Sequence, residues 1–135
     1  MSIQTDVGND IGVRWNALPV NTGAATLTGS AIDRLGLLSA VLAHACGAAS
    51  GTPDSFSVVT TLHHSDDAGS GFATTGITIT SLTADSTSAY TDVNLTPLKQ
   101  WIKLVSVVAF VNGTSPKVPF ASTIILGGSA AGNIA

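Results

Sequence analysis

The residues best suited to chemistry lie in one short polar run, from His63 to Asp67, which holds two histidines and two aspartates. Imidazoles and carboxylates are metal ligands, and loop residues can converge on one cation. The run lacks the His-x-x-x-His spacing of a helical zinc site and the alternating aspartates of a calcium loop. We therefore interpret it as a solvated polar turn and predict no metal site.

Serine, histidine and aspartate are all present, but no serine lies in a Gly-x-Ser-x-Gly elbow, so a hydrolase triad is not indicated. Asp66 and Asp67 are adjacent, and sequence neighbours seldom face each other across a glycoside. His44 and Cys46 lie in an apolar run that is typical of buried core positions. The sequence thus predicts no catalytic residue, no cofactor and no enzymatic activity.

Charge and hydropathy restrict the partners. Only 10% of the residues are charged, glutamate is absent, and the net charge is -3. The five cationic residues are scattered along the chain, so nucleic-acid binding is disfavoured. Mean hydropathy is +0.43, yet no apolar stretch reaches the roughly 20 residues that span a bilayer. The first ten residues lack a signal-peptide pattern, so we expect synthesis in the cytoplasm and no membrane partner.

Threonine, valine and isoleucine are abundant, and their branched Cβ atoms suit a pleated sheet. Turn signals recur every 8 to 15 residues without helical spacers. This pattern predicts an all-β, antiparallel β-sandwich that is jelly-roll-like and has about seven or eight strands. We expect an N-terminal arm at 1–11, a single sandwich domain at 12–128 and a flexible C-terminal tail at 129–135.

Alternation and turn residues locate the strands. Strands are predicted at 11–20, 35–46, 56–63, 76–82, 88–95, 99–111 and 120–126. Residues 22–30 fit a short edge strand or a loop, and 35–46 fit a strand or a helix, with the strand favoured. The turn cluster at 47–54 and the Asn112-Gly113 pair each predict a hairpin between the flanking strands.

Side-chain directions follow from the same alternation. In the strand at 99–111, Ile102, Leu104 and Val108 share one face. Trp15 is predicted to point inward. Aromatic residues are only 5% of the chain, so the core is expected to need most of them, and a sugar-binding platform is a weaker interpretation.

Four segments, at 28–36, 56–69, 99–108 and 126–128, resemble the small head-decoration (cement) proteins of tailed bacteriophages. The resemblance implies a jelly-roll-like sandwich, a homotrimer on a capsid three-fold axis, and binding to the major capsid protein on the virion exterior. A decoration protein stabilises the shell through many linked contacts, that is, by binding energy and not by turnover.

Four residues are our candidates for capsid or subunit contacts. Ile3 and Asp6 belong to the predicted arm, while Arg14 and Arg34 are cations on a sparsely charged chain. A solvated strand edge explains the two arginines equally well. Two other functions stay open: a tail or head-completion ring protein, and a carbohydrate-binding module with an exposed aromatic row.

Overall fold

Nine strands make up the regular secondary structure of residues 12–129, the part of the chain that the computed structural model describes. They are β1 (Gly12–Thr22), β2 (Ala25–Thr28), β3 (Ile32–Asp33), β4 (Leu37–Cys46), β5 (Ser55–Ser65), β6 (Ala73–Thr74), β7 (Ser88–Asn94), β8 (Trp101–Val111) and β9 (Val118–Ser129). The all-β prediction is confirmed. The predicted arm at 1–11 lies outside the described residues, and β9 extends to Ser129, one residue past the predicted domain boundary.

The strands form two antiparallel sheets. Sheet A has the order β1-β9-β4-β7 and sheet B the order β2-β8-β5-β6, with β3 pairing beside β2 on β8. If β2 and β3 count as one interrupted strand, the first strand pairs with the last, the second with the second-last, β4 with β7, and β5 with β6. This nested pairing, divided between two packed sheets, is the jelly-roll arrangement.

The nested pairing overturns both predicted hairpins. The strands β4 and β5 lie in different sheets, and so do β8 and β9. Turn chemistry at the second site is as predicted, because Asn112 and Gly113 both have positive φ, 59° and 94°. The turn sends the chain across to the other sheet, where β9 fills the gap between β1 and β4.

The expectations for individual strands have mixed outcomes. Residues 37–46 form a strand, and 25–28 form the short edge strand that was one of two alternatives. No strand forms at 76–82; its only ladder contact is the bridge between Leu82 and Val58. Ile79 and Leu82 are nevertheless buried. The apolar alternation thus identified Ile79, whereas Leu82 is out of phase with it, and the segment covers the core without joining a sheet.

The direction of Trp15 was predicted wrongly. Its side chain is 58% exposed, on the outer surface of sheet A. The pairing of β1 with β9 shifts register between Trp15 and Ala17, so the inner side of the strand is taken by Asn16, which donates to Ser122 Oγ at 2.9 Å, and by Ala17. A bulge in an edge strand re-aims the side chains that precede it, and period-2 counting does not register this.

A polar layer divides the core. One apolar cluster includes Leu62, Leu104 and Ile124, and the other includes Phe56 and Phe120. Between them, each sheet contributes one pair of buried polar residues that face each other across the sandwich: His44 and Ser122 from sheet A, and Thr60 and Ser106 from sheet B. Each sheet therefore has one side fixed against this core and one side turned outward.

Candidate functional site

The polar run from His63 to Asp67 does not converge on one point. Successive residues of a strand face opposite sides, and both histidines belong to β5. His63 Nε2 lies 2.9 Å from Thr61 Oγ1, whereas His64 Nδ1 accepts from the Lys99 amide at 3.2 Å. Each side chain in the run thus has its own partner.

The two aspartates of the run are also engaged separately. The Asp66 carboxylate lies 3.5 Å from Lys99 Nζ at the exposed surface. Asp67 accepts from the Gly69 amide at 2.9 Å and from the Ser70 hydroxyl at 3.3 Å, which closes its own turn. Among the described residues, no group of three or more metal-ligating side chains occurs.

Arg14 and Arg34 differ in their surroundings. The Arg34 guanidinium donates to the carbonyls of Lys99, Leu37 and Leu98, and so joins the segment before β4 to the segment before β8. Arg14 is exposed, and among residues 12–129 its side chain donates only to the Val13 carbonyl, at 3.1 Å. Its charge is therefore the more available of the two for a partner. Ile3 and Asp6 lie outside the described residues.

His44 is a buried residue of the polar layer, as the apolar run around it predicted. It is 5% exposed, and its Nδ1 lies 3.5 Å from Thr60 Oγ1, which in turn lies 2.7 Å from Ser106 Oγ. His44 Nε2 is buried without a partner among the described residues. Burial lowers the pKa of His44, and the Thr80 carbonyl partly offsets this. The imidazole is therefore neutral at physiological pH.

Cys46 is likewise buried, on the same side of β4 as His44. Its Sγ lies 3.3 Å from the Ala84 carbonyl and 3.4 Å from Thr87 Oγ1. The interpretation of this cysteine as a small core residue is confirmed. The outer faces of the two sheets carry several exposed apolar side chains, among them Trp15, Val59, Tyr90 and Val107.

Among the described residues, no charged side chain lies at the centre of the outer face of sheet B, hereafter the B face. It consists of small and β-branched side chains on β2, β8 and β5: Thr26, Thr28, Ser57, Val59, Thr61, Val105, Val107 and Ala109. Val59 and Val107 pair with each other and are 41% and 42% exposed. Charge begins one row beyond Thr61, where His63 pairs with Lys103.

The charged border of the B face has its own packing. Lys103 Nζ lies 4.1 Å from the centroid of the Phe72 ring, a cation–π contact. His63 stands beside it, and burial, with further contributions from the positive charges of Lys103 and His64, lowers the pKa of His63. The border is thus cationic through Lys103, while the field of valine and threonine beside it is neutral.

The outer face of sheet A has a different shape. The edge strands β1 and β7 carry two exposed aromatic residues, Trp15 and Tyr90, and Tyr90 is 73% exposed. Both belong to one row across the sheet, in which Trp15 pairs with Thr123, Thr123 with Ala43, and Ala43 with Tyr90. In this row, large side chains therefore stand at the two edges and small ones on the two central strands. The next row on the central strands carries Val41 and Ile125.

Two concavities adjoin along this face. One, of about 300 Å³, lies between Trp15 and Tyr90 and is floored by small residues of β4 and β9, among them Ala43, Ala45, Ala121 and Thr123. The next, of about 680 Å³, continues past Val41 and Ile125 toward Ser39, Asp92 and Asn94. We call the two together the A groove. It runs along the strands, with β9 and β4 as its floor.

The sequence did not identify this groove, and it predicted that one of its two wall residues, Trp15, points inward. The floor combines β4 and β9, which are more than 70 residues apart in the chain and meet only through the nested pairing. The bulge after Trp15 then turns one wall residue outward. A sequence signal existed in the small residues that alternate along Ala43 and Ala45, but a buried strand would produce the same pattern.

No helix among the described residues is long and apolar enough to cross a membrane. No family model matches the chain, and no curated protein matches it. A solved chain described under "Bacillus endospore appendages form a novel family of disulfide-linked pili" superposes with a TM-score of 0.39 and 12% identity, over 94% of this chain and 96% of that chain. We draw no functional argument from a likeness at this level.

Proposed function

We propose that this protein is a virion structural protein that binds the exterior of a tailed-phage capsid as a homotrimer and stabilises the shell. The proposal combines the sequence resemblance to decoration proteins with a jelly-roll fold whose surface is suited to contact. The observation that carries it is the B face, which offers another protein surface an uncharged field of side chains on three adjacent strands.

The composition of the B face favours association for two reasons. Valine and threonine have few χ1 rotamers, so their side chains lose little conformational entropy when a partner covers them. No charged side chain of the described residues lies at the centre of the face, so association does not have to remove a charge from water there. Lys103 lies at the border of this face, where its charge can set the orientation of a partner. Arg14 is exposed on β1 of sheet A and does not belong to this border.

Light scattering over a concentration series tests the oligomeric part of the proposal. A mass near three chains supports the decoration protein, and co-sedimentation with expanded, undecorated phage capsids then tests shell binding. A ring of six or more chains would instead support the alternative of a tail or head-completion protein. A monomer that also fails to co-sediment with capsids would refute the proposal.

A further inference from the structure

We propose that the A groove binds an extended, neutral polysaccharide, with Trp15 and Tyr90 stacking on its sugar rings. The inference does not depend on capsid binding, because it concerns the opposite sheet from the B face. Carbohydrate binding was left open by the sequence, on the condition that aromatic residues be exposed. Trp15 and Tyr90, at 58% and 73% exposure, meet that condition.

The spacing of the two rings fits a flat, linear ligand. Three ladder steps separate Trp15 from Tyr90, which places their Cα atoms roughly 14 Å apart at about 4.8 Å per step. Both side chains line the narrower concavity between the two edges. The floor between them, made of Ala43, Thr123 and their small neighbours, leaves room for a pyranose ring beside each aromatic face.

The polar groups along the groove suit hydroxyls. Hydroxyl groups are present at Tyr90 and Ser88 beside the narrower concavity, and Ser39, Asp92 and Asn94 line the wider one. These side chains include both hydrogen-bond donors and acceptors, and a sugar hydroxyl can pair with either because it donates as well as accepts. A long apolar peptide would offer the Asp92 carboxylate no partner, at a cost in desolvation, whereas Asn94 Oδ1 already accepts from the Thr96 amide at 3.1 Å.

Charge complementarity selects among sugars. Among the described residues that line the groove, Asp92 is the one with a formal charge, and the full sequence carries -3. A sulfated or uronate polymer would therefore meet like charge and no paired cation. A neutral polymer meets no such repulsion. The length of the two adjoining concavities also favours a polymer over a single sugar.

Tryptophan fluorescence provides the test. In the full chain carrying Trp101→Phe, Trp15 is the single tryptophan, so its emission reports on the groove alone. The variant is titrated with cellohexaose, xylohexaose, mannohexaose and chitohexaose, and calorimetry on the wild-type chain checks the same four probes. We expect a saturable change in emission with at least one of them, and none with polygalacturonate as a polyanionic control.

Matched variants locate the binding. Tyr90→Ala and Trp15→Ala should each weaken the binding of the hexasaccharide that binds by about tenfold, which is the scale of one lost aromatic stacking contact. Calorimetry measures the binding to Trp15→Ala, because that variant lacks the fluorescent reporter. Val107→Ala, on the B face, should leave the binding unchanged. Absence of binding to all four probes by both methods would overturn the inference, and so would binding that survives both aromatic substitutions.

Quenching of Trp15 in the assembled protein tests whether a second copy of this chain fills the groove. If a second copy of this chain filled the groove, acrylamide would quench Trp15 poorly in the assembled protein, and that result would also overturn the inference. Efficient quenching in the assembled protein supports an open groove. A chain that binds a hexasaccharide but stays monomeric and ignores capsids would refute the proposed decoration role and leave the groove assignment standing.

Discussion

The two outer faces of this sandwich are built on the same pleated strands but are suited to different partners. The B face is a field of valine and threonine across three strands. Between Trp15 and Tyr90 the A groove has a floor of small residues, and it continues past Val41 and Ile125. A surface of similarly sized side chains can pack against another protein, whereas a recess between two aromatic rings can hold a narrow polymeric ligand. Side-chain size across the strands, more than hydrophobicity, distinguishes the faces.

The largest expected effect contrasts the inner and outer sides of β8. Leu104 is buried in the core, while its neighbour Val105 belongs to the B face. Leu104→Ala should lower the free energy of unfolding by about 2–5 kcal/mol, because it removes core contacts and leaves a cavity. Val105→Ala should cost well under half of that. Urea denaturation of both variants measures the difference.

Equal losses for these two variants would contradict the account, because they would indicate that the B face is already buried in the isolated protein. The comparison is most informative at low protein concentration, where an associated form is least populated.

The next effect concerns the bulge that exposes Trp15. Asn16→Ala removes the donor to Ser122 Oγ and leaves that buried hydroxyl without this partner. A loss of about 1–3 kcal/mol is expected for a buried polar group left unsatisfied. Trp15 emission should also change, because Asn16 anchors the segment that turns Trp15 outward. Asn21→Ala, at the exposed end of the same strand, is the control.

Unchanged stability and unchanged emission in Asn16→Ala would show that the hydrogen bond to Ser122 does not fix the bulge. The shape of the A groove would then need another cause, such as the packing of Ala17 against the core.

The smallest effect near neutral pH is the titration of His44, which belongs to the polar layer behind both faces. Its pKa is lowered in the folded state by burial, so the unfolded chain binds the proton more readily. The contribution of His44 to the free energy of unfolding is complete above the unfolded pKa of about 6.5, and it is lost progressively as the pH falls below that value. Chemical denaturation between pH 7.5 and pH 5 should reveal this slope.

His44→Leu should reduce the dependence of the free energy of unfolding on pH. His63, whose pKa is also lowered by partial burial, contributes in the same direction, so His63→Gln serves as the matched control and should flatten it less. An identical slope in wild type and His44→Leu would remove His44 from the account of acid sensitivity.

The sequence predicted the parts of the fold that depend on local pattern. The face of β8 that carries Ile102, Leu104 and Val108 is buried as expected, and 37–46 is a strand. Asn112 and Gly113 form the turn that their residue types favour. In each case neighbouring residues determine the outcome, because pleat direction and turn geometry are short-range properties.

The failures all involve partners that are distant in the chain. A turn signal shows where the chain reverses, but it does not show whether the next strand joins the same sheet, and so both hairpins were wrong. Trp15 was misdirected by a register shift against β9. The A groove combines residues from four strands. Its walls and floor are set by the nested pairing, which periodicity does not encode.

The central claim is that this protein associates through the B face. The solution masses of the wild type and of two variants test this claim most directly. Light scattering should give a mass near three chains for the wild type, a single chain for Val59→Lys combined with Val107→Lys, and an unchanged trimer for Tyr90→Ala. The paired lysines place charge in the centre of a neutral face, whereas Tyr90 lies on the other sheet. A wild-type trimer that survives both lysines, or one that dissociates on loss of Tyr90, would contradict the account.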